Sequence, residues 1–335
     1  MTMISTSVAA PPPRLPIVPA AFFSMVLGLG GLGGAWRTAH RLYGLPAWIG
    51  EAIMGLAVVV WAILLILFVA KWLLAREQAL AEARHPIQCC FIALAGVATL
   101  LVAGALAPYS HGLGVVVFTA GVVFTMGFSL WRTGTLWRGE RDPTTTTAVL
   151  YLPTVGGCFV TGTVSSALGA PDWGLLSFGA GFLAWLAMES VLLHRLLLAP
   201  EMAVPIRATM GVQLAPPAVG AVSLANVMPH GAELLGHMMI GYGLLQLGIL
   251  ARQALWIAKQ PLSAAYWSFS FGVTALATAP LLMTLHGDAG PMAILAPWLF
   301  GLANISIGLL AMGTLVLLLQ GRLLPPPAPS SPVRA

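Results

Sequence analysis

The stretch VLGLGGLGGAWRTA, residues 26–39, places five glycines within seven positions of a long apolar run. Its GLGGLG, residues 28–33, matches the pattern of a dinucleotide-binding turn. That turn needs a strand before it, a helix after it and an acidic residue about 20 residues further on. Here no charge precedes Arg37 in the run, and the next carboxylate, Glu51, lies beyond Pro46 near the start of another apolar run. The glycines therefore favour close helix packing or the wall of a pore over a nucleotide site.

The composition places the chain in a lipid bilayer. Hydrophobic residues make up 59% of it and charged residues 7%, with a mean hydropathy of +0.92, whereas soluble domains carry about 25% charged residues. A membrane-spanning helix needs about 20 apolar residues. Ten stretches meet this length and leave no room for a soluble domain: 20–39, 47–74, 86–107, 113–137, 149–169, 173–198, 206–227, 232–257, 261–285 and 291–320.

The chain ends and the basic residues predict the topology. Proline-rich ends predict disordered tails, 1–18 and 323–335, around a transmembrane domain at 19–322. Thirteen of the fifteen Lys and Arg residues fall in the tails and in the segments that join even to odd stretches, and the other side carries Arg37 and Arg41. Because basic residues concentrate on the cytoplasmic side, both termini are predicted to be cytoplasmic. The net charge of +5 then reflects topology and does not indicate nucleic-acid binding.

Odd and even stretches differ in composition. Most odd ones are rich in Gly, Pro, Ser and Thr, whereas stretches 2, 6 and 10 are dominated by Leu, Ile, Val and Trp. Small residues let helices approach closely, and Pro or Gly is tolerated in a span where freed backbone groups line a wet cavity. We therefore predict an all-α integral membrane protein: ten transmembrane helices as five helical hairpins around a central pore, odd helices inner and even helices outer. Candidate pore-lining residues are Gly28, Gly30, Thr154, Gly157, Gln213 and Ser270.

Seven strings in register carry a family resemblance. The chain resembles the bacterial TehA-like proteins of the tellurite-resistance/dicarboxylate transporter family, which also contains plant slow anion channels, from about residue 19 to residue 322. The strings are PAAFFSMVLGLGGLGGAWR (19–37), AEARHPI (81–87), LYLPTV (150–155), FGAGFLAWLAMESVLLHRL (178–196), RATMGVQLAPP (207–217), GYGLLQL (241–247) and YWSFSFGVTALA (266–277).

The resemblance implies a gated anion channel in the bacterial inner membrane. It implies a homotrimer with one pore per subunit, passage of small anions such as chloride and nitrate, and a link to tellurite resistance. It also implies that a phenylalanine of the ninth helix closes the pore, and the motif WSFSFG, residues 267–272, assigns this role to Phe271. A hydrophobic constriction of this kind blocks ions by dewetting. The chain departs from its relatives at Ser190, where they usually carry proline.

Glu189 is the one carboxylate well inside an apolar stretch. Ionisable residues within the membrane are functional candidates by default, so a proton-coupling role stays open. The closeness of His194 and Arg195 in sequence favours a structural ion pair with a basic residue instead. The alternative function is accordingly a proton-coupled secondary transporter that exports dicarboxylates or tellurite oxyanions. No cluster of His, Cys, Asp or Glu has metal-binding or catalytic spacing, so we expect neither a cofactor nor a metal nor enzymatic activity.

Overall fold

The computed structural model describes residues 16–231 and 233–324, and every regular element in these ranges is helical. Most of the two predicted disordered tails lies outside the described residues. The twelve α-helices are α1 Phe23–Tyr43, α2 Ala47–Leu74, α3 Arg76–Arg84, α4 Ala93–Leu106, α5 His111–Leu136, α6 Gly157–Ala167, α7 Pro171–Leu198, α8 Ala215–Val227, α9 Glu233–Arg252, α10 Ala254–Ile257, α11 Ser270–Leu285 and α12 Pro291–Leu319.

Within the described part of the chain, nine helical segments are long and apolar enough to cross a membrane. A multi-pass, all-helical membrane protein is therefore confirmed. The first predicted span, α1, is a helix of 21 residues but is not among the nine, because its glycines and its polar final turns lower its hydropathy. The nine segments are Ala47–Leu74, Gln88–Leu106, His111–Leu136, Ala148–Ala167, Pro171–Leu198, Val204–Val227, Glu233–Arg252, Ala264–Leu285 and Pro291–Leu319.

The long helices fall into two classes by burial. We compare the most apolar 18 residues of each segment. In the segments that contain α4, α6, α8 and α11, 72–89% of these residues are buried, whereas in α2, α5, α7, α9 and α12 only 17–33% are. Most of α1 is buried as well. The five buried helices contact one another in a closed order: α1 to α4, α4 to α6, α6 to α8, α8 to α11 and α11 to α1. Each exposed helix packs mainly against the buried helix that precedes it, which leaves its other faces for lipid.

Each buried helix is preceded by backbone of a different helical type. The segments before α1, α4, α8 and α11 are 3-10 helical, and α6 follows a 3-10 turn and a π-helical segment, Leu152–Gly156, that contains Pro153. Proline lacks an amide hydrogen and blocks the regular α-helical bond, and π segments often occur at functional sites. A change of helix type thus precedes each of the five buried helices.

The glycines of α1 serve two purposes. A Cβ at Gly28 would lie 2.6 Å from the Cβ of Ser270 on α11, and one at Gly33 would lie 3.3 Å from the backbone nitrogen of Met54 on α2, so both positions require close packing. A Cβ at Gly34 would meet no atom within 4 Å, because this residue borders a cavity. The sequence pattern of a dinucleotide-binding turn lies in the middle of a helix that no strand precedes in the described chain.

A buried lysine ties the start of the described chain to α2 and α3. Lys71 Nζ donates to the carbonyl of Val18 at 2.9 Å and to the carboxylate of Glu82. The other oxygen of Glu82 accepts from the amide of Ala20 at 2.7 Å. We term this end of the molecule the N-terminal face, and the end that carries the turn between α1 and α2 at Gly44 the opposite face.

Candidate pore

Phe271 lies between two cavities inside the ring of buried helices. The larger, which we term the vestibule, has a volume of about 200 Å³, and the smaller, the inner pocket, about 20 Å³. Phe271 of α11 and Val219 of α8 line both of them. A cavity of about 10–15 Å³ is needed for one water molecule, so the inner pocket has room for little more than one. The two cavities therefore differ about tenfold in volume, and Phe271 lies where they adjoin.

The inner pocket is apolar. One of its lining residues, Tyr151, carries a side-chain hydroxyl, and that hydroxyl donates to Glu189. The other residues around it, which lie on all five buried helices or the segments just before them, are Leu27, Leu94, Val97, Leu152, Val155, Gly156, Phe159, Val212, Ala215, Pro216, Val219 and Phe271. Water is held poorly in such a constriction, which opposes the passage of ions.

The vestibule is more polar and extends toward the opposite face. One side of α1 lines it with Gly30, Gly34, Arg37, Thr38 and Arg41. The steps from Gly30 to Gly34, Arg37 and Arg41, and from Gly34 to Thr38, are of three or four positions, as expected for one face of a helix. The remaining polar lining residues are Thr163, Asn226 and Thr278.

Arg37 is neutralised by a carboxylate. Its Nε and Nη2 atoms donate to Oε1 and Oε2 of Glu51 at 2.8 and 2.7 Å. Glu51 also accepts from the hydroxyl of Tyr109 at 2.5 Å, and Arg37 donates to the carbonyl of Ala105 at 3.3 Å. Two-point pairing of this kind fixes the guanidinium in place. Arg37 therefore stiffens the vestibule wall and adds little net charge.

Arg41 has no such partner. Among the described residues, its side chain has neither an ion-pair partner nor a hydrogen-bond partner. It is exposed at the opposite face and lines the vestibule. Its charge is thus available to attract anions from solution, as a charged mouth does in general.

Phe269 and Phe271 point in different directions. A Cβ at Gly31 would lie 3.5 Å from the ring of Phe271, so α1 passes close to that ring. A Cβ at Gly211 would lie 2.5 Å from the ring of Phe269. Phe269 also lines a separate cavity that residues of α9 and α12 help to form. Positions two residues apart on a helix are about 200° apart in rotation, which accounts for the difference.

Of the six candidate lining residues, Gly30 borders the vestibule and the other five lie in helix contacts. Gly28 packs on Ser270, and Gly157 packs on the side chain of Thr125 of α5. The hydroxyl of Ser270 donates to the carbonyl of Trp267 at 2.7 Å. Hydroxyls of helical Ser and Thr commonly bond backbone carbonyls in this way, so a polar residue on a pore helix need not face the pore.

Thr154 and Gln213 face helices outside the ring. The hydroxyl of Thr154 lies 3.7 Å from the sulfur of Met188 on α7. The side-chain nitrogen of Gln213 donates to Glu189 of the same helix at 2.9 Å. Both side chains are therefore engaged away from the two cavities.

Glu189 has neutral partners and no cation. It is 9% exposed, and in the described chain no basic side chain lies within ion-pair distance of it. Its carboxylate accepts hydrogen bonds from five side chains: Tyr151, Trp185 at 2.9 Å, Gln213 at 2.9 Å, Tyr242 at 2.5 Å and Gln246 at 3.4 Å. We term this group the Glu189 cage.

The expected ion pair of Glu189 with a basic residue is not the arrangement found. His194 and Arg195 follow it by five and six residues, which is about 500–600° of helix rotation. Side chains on one helix meet at spacings of three and four, so both basic residues point to other faces of α7. Glu189 is close to His194 and Arg195 along the chain, but the three side chains do not share a face of the helix.

Sequence reasoning did not place Arg37 and Arg41 in the wall of the vestibule, where the structure has them. Their spacing from Gly30 and Gly34 places all four on one face of α1, and that periodicity was the available signal. The charge of Arg37 and Arg41 was read as a topology signal alone.

Comparison with known proteins shows what the chain is similar to. Residues 18–315 match the family model described as voltage-dependent anion channel. The chain is 30% identical to the tellurite resistance protein TehA homolog of Haemophilus influenzae over 306 residues, which cover 91% of this chain and 92% of that protein. It is also 23% identical over 252 residues to an uncharacterized transporter of Methanocaldococcus jannaschii, covering 65% of this chain and 70% of that protein.

Proposed function

The chain belongs to the voltage-dependent anion channel family, and on that premise we propose that it is a gated channel for small inorganic anions such as chloride and nitrate. Members of this family are membrane anion channels and not enzymes. The observation that carries the proposal is the position of Phe271, whose ring borders the vestibule on one side and the inner pocket on the other. In this proposal the ring is the gate.

The proposed pore is enclosed by ten transmembrane helices in five hairpins. The closed order of contacts among α1, α4, α6, α8 and α11 supports an inner ring, and the low burial of the other five long helices supports an outer one. We also propose, from the family resemblance, that three subunits assemble with one pore each.

Anion passage must balance attraction against release. An isolated ion in a low dielectric costs on the order of tens of kcal/mol by Born estimates, and a fixed cation beside it would hold it too tightly. None of the described residues that line the inner pocket is a Lys or an Arg. The first turns of α4, α6, α8 and α11 lie around it, so the positive ends of their helix dipoles favour an anion weakly. This arrangement predicts weak selectivity among small anions.

The second candidate function is a proton-coupled transporter of dicarboxylates or tellurite oxyanions. The observation in its favour is the buried carboxylate of Glu189, which no cation in the described chain balances. Against it, five hydrogen-bond donors occupy the two oxygens of that carboxylate. Five donors on one carboxylate fix its position, which suits a structural role.

Reconstitution in liposomes tests the channel proposal. We expect an anion current whose reversal potential follows the chloride gradient and shifts little when nitrate replaces chloride.

Arg41→Gln should lower the inward anion current about twofold at 10 mM salt and leave it unchanged near 1 M, because salt screens the charge at the mouth. Patch-clamp recordings of giant liposomes at the two salt concentrations measure this.

The matched control for Arg41 is Arg76→Gln. Arg76 is exposed on α3 at the N-terminal face, so the same loss of charge there should leave the low-salt inward current unchanged. A saturable flux that depends on pH and shows no single-channel steps would instead support the transporter.

We propose that the protein lies in a bacterial inner membrane with both termini in the cytoplasm. The support is the concentration of basic residues at the N-terminal face. In a background in which Cys89, Cys90 and Cys158 are replaced, cysteines at the exposed positions Thr144 and His111 should react with an impermeant maleimide from opposite sides. Labelling of both from one side would refute the orientation.

A further inference from the structure

Two arginines at the N-terminal face share one hydrogen-bond acceptor. Arg132, near the end of α5, and Arg141, in the segment that follows, donate from Nη2 to the carbonyl of Pro86 at 3.2 and 3.1 Å. Arg141 also donates to the carbonyl of Thr145 at 2.6 Å. In the described parts of the chain neither guanidinium forms an ion pair. Two positive charges therefore meet at neutral carbonyls.

Both arginines keep unused donors. Arg132 is 9% exposed, and its Nε, the Nε of Arg141 and the hydroxyl of Thr147 are buried without a hydrogen-bond partner among the described residues. Burial lowers the pKa of the Arg141 guanidinium, and the like charge of Arg132 acts in the same direction. Buried charge is costly unless an opposite charge balances it, so this pair of guanidiniums has the properties of an anion site.

The neighbouring carboxylate does not fill that role. Asp142 directs Oδ1 to the amide and the hydroxyl of Thr144, both at 2.8 Å, and lies farther than ion-pair distance from Arg141. No carboxylate of the described chain therefore supplies a counter-charge, which leaves the two guanidiniums open to an anion from another molecule.

The end of α5 that carries Arg132 lies at the membrane surface. Only 22% of the most apolar stretch of α5 is buried, and Leu130, Trp131 and Trp137 on its outer side are 76%, 53% and 86% exposed, whereas Arg132 lies on its buried side. Tryptophan is enriched where a membrane meets water. An arginine in such a position lies at the depth of the lipid headgroups.

We propose that Arg132 and Arg141 bind the phosphate group of an anionic phospholipid whose acyl chains lie against α5. The planar guanidinium presents paired donors that match phosphate oxygens, and two such forks at one point match one headgroup. Basic pockets at the membrane surface between transmembrane helices bind anionic lipids in this manner. The bound lipid would hold the start of the α4 segment, through Pro86, against the end of α5.

The test compares ligands on the delipidated, full-length protein in detergent. Phosphatidylglycerol should raise the apparent Tm by about 2–4 °C, whereas phosphatidylcholine and inorganic phosphate at the same concentration should raise it by less than half as much. The double variant Arg132→Gln, Arg141→Gln should lose most of the phosphatidylglycerol shift. Arg138→Gln removes an equal charge from an exposed position of the same segment and should keep the full shift.

Native mass spectrometry supplies the second measurement. The wild-type protein and Arg138→Gln should retain more phosphatidylglycerol than phosphatidylcholine, and the double variant should not. If the double variant fails to fold, the variant Arg132→Lys, Arg141→Lys takes its place. It keeps both charges but lacks the paired guanidinium donors, so it should still retain less phosphatidylglycerol than wild type. Equal retention by all variants, or an equal shift with phosphatidylcholine, would overturn the site. An equal shift with inorganic phosphate would overturn the lipid as its occupant.

Discussion

Phe271→Ala should raise the resting anion current of the reconstituted protein about tenfold or more, which corresponds to a barrier lower by about 1.4 kcal/mol. The physical reason is that the ring of Phe271 separates a vestibule of about 200 Å³ from an inner pocket of about 20 Å³. Removing the ring joins these spaces and relieves the dewetted constriction. Phe271→Leu leaves part of the apolar bulk in place and should give a smaller rise. Currents in planar bilayers, normalised to the amount of folded protein, measure the effect.

The same substitution should cost little stability. A core phenylalanine cut to alanine typically costs about 3–5 kcal/mol, because it leaves a cavity in a packed interior. Phe271 is partly buried and already borders two cavities, so its cost should fall below that range. A thermal unfolding profile close to that of wild type would therefore accompany the raised current.

Phe269→Ala is the matched control for the gate. This residue lies two positions away on the same segment, packs on Gly211 and lines a cavity outside the ring. Because its ring packs more tightly, 2.5 Å from the Cβ position of Gly211 against 3.5 Å between Phe271 and that of Gly31, its loss should lower stability more than Phe271→Ala does, without raising the current. If Phe269→Ala alone opened the channel, or if Phe271→Ala left the current at its resting level, the gate would have been assigned to the wrong ring.

The positions of most helices could be predicted from the sequence because lipid imposes a long apolar run on each span. The predicted stretch 47–74 has the bounds of α2, and 173–198 and 291–320 differ from α7 and α12 by two residues or fewer. The changes of helix type could not be predicted in this way. The stretch 206–227 was predicted as one helix, yet its first part is 3-10 helical to Leu214, since hydropathy does not register how the backbone bonds.

Part of the candidate site could be predicted from the sequence, and part of it could not. Phe271 followed from a family motif, and its position between two cavities supports that assignment. The Glu189 cage had no signal, because four of its donors lie 24 to 57 residues away along the chain. Only the folded arrangement of α7, α9 and the segments just before α6 and α8 brings them to one carboxylate. Contacts of that kind are set by tertiary packing and leave no period in the sequence.

Glu189→Leu should have the largest effect on stability of any substitution considered. It removes both oxygens that accept from the Glu189 cage and leaves five donors without that acceptor. A buried donor left unpaired costs about 1–3 kcal/mol, against a total stability of about 5–15 kcal/mol for a folded protein. We therefore expect little folded protein, measured as the monodisperse fraction in size-exclusion chromatography after detergent extraction.

Glu189→Gln should fall between Glu189→Leu and wild type, and it separates the structural role from proton coupling. The amide keeps one accepting oxygen and replaces the other with a donor, so it loses the bonds of either Tyr151 and Trp185 or those of Gln213, Tyr242 and Gln246. The apparent Tm should fall by several degrees, while anion current per folded molecule should keep the same pH dependence as wild type.

Glu77→Gln makes the same chemical change at an exposed position of α3 and should leave Tm unchanged. A variant at Glu189 that folds as wild type does and loses a pH-dependent flux would establish the carboxylate as a proton site and favour the transporter.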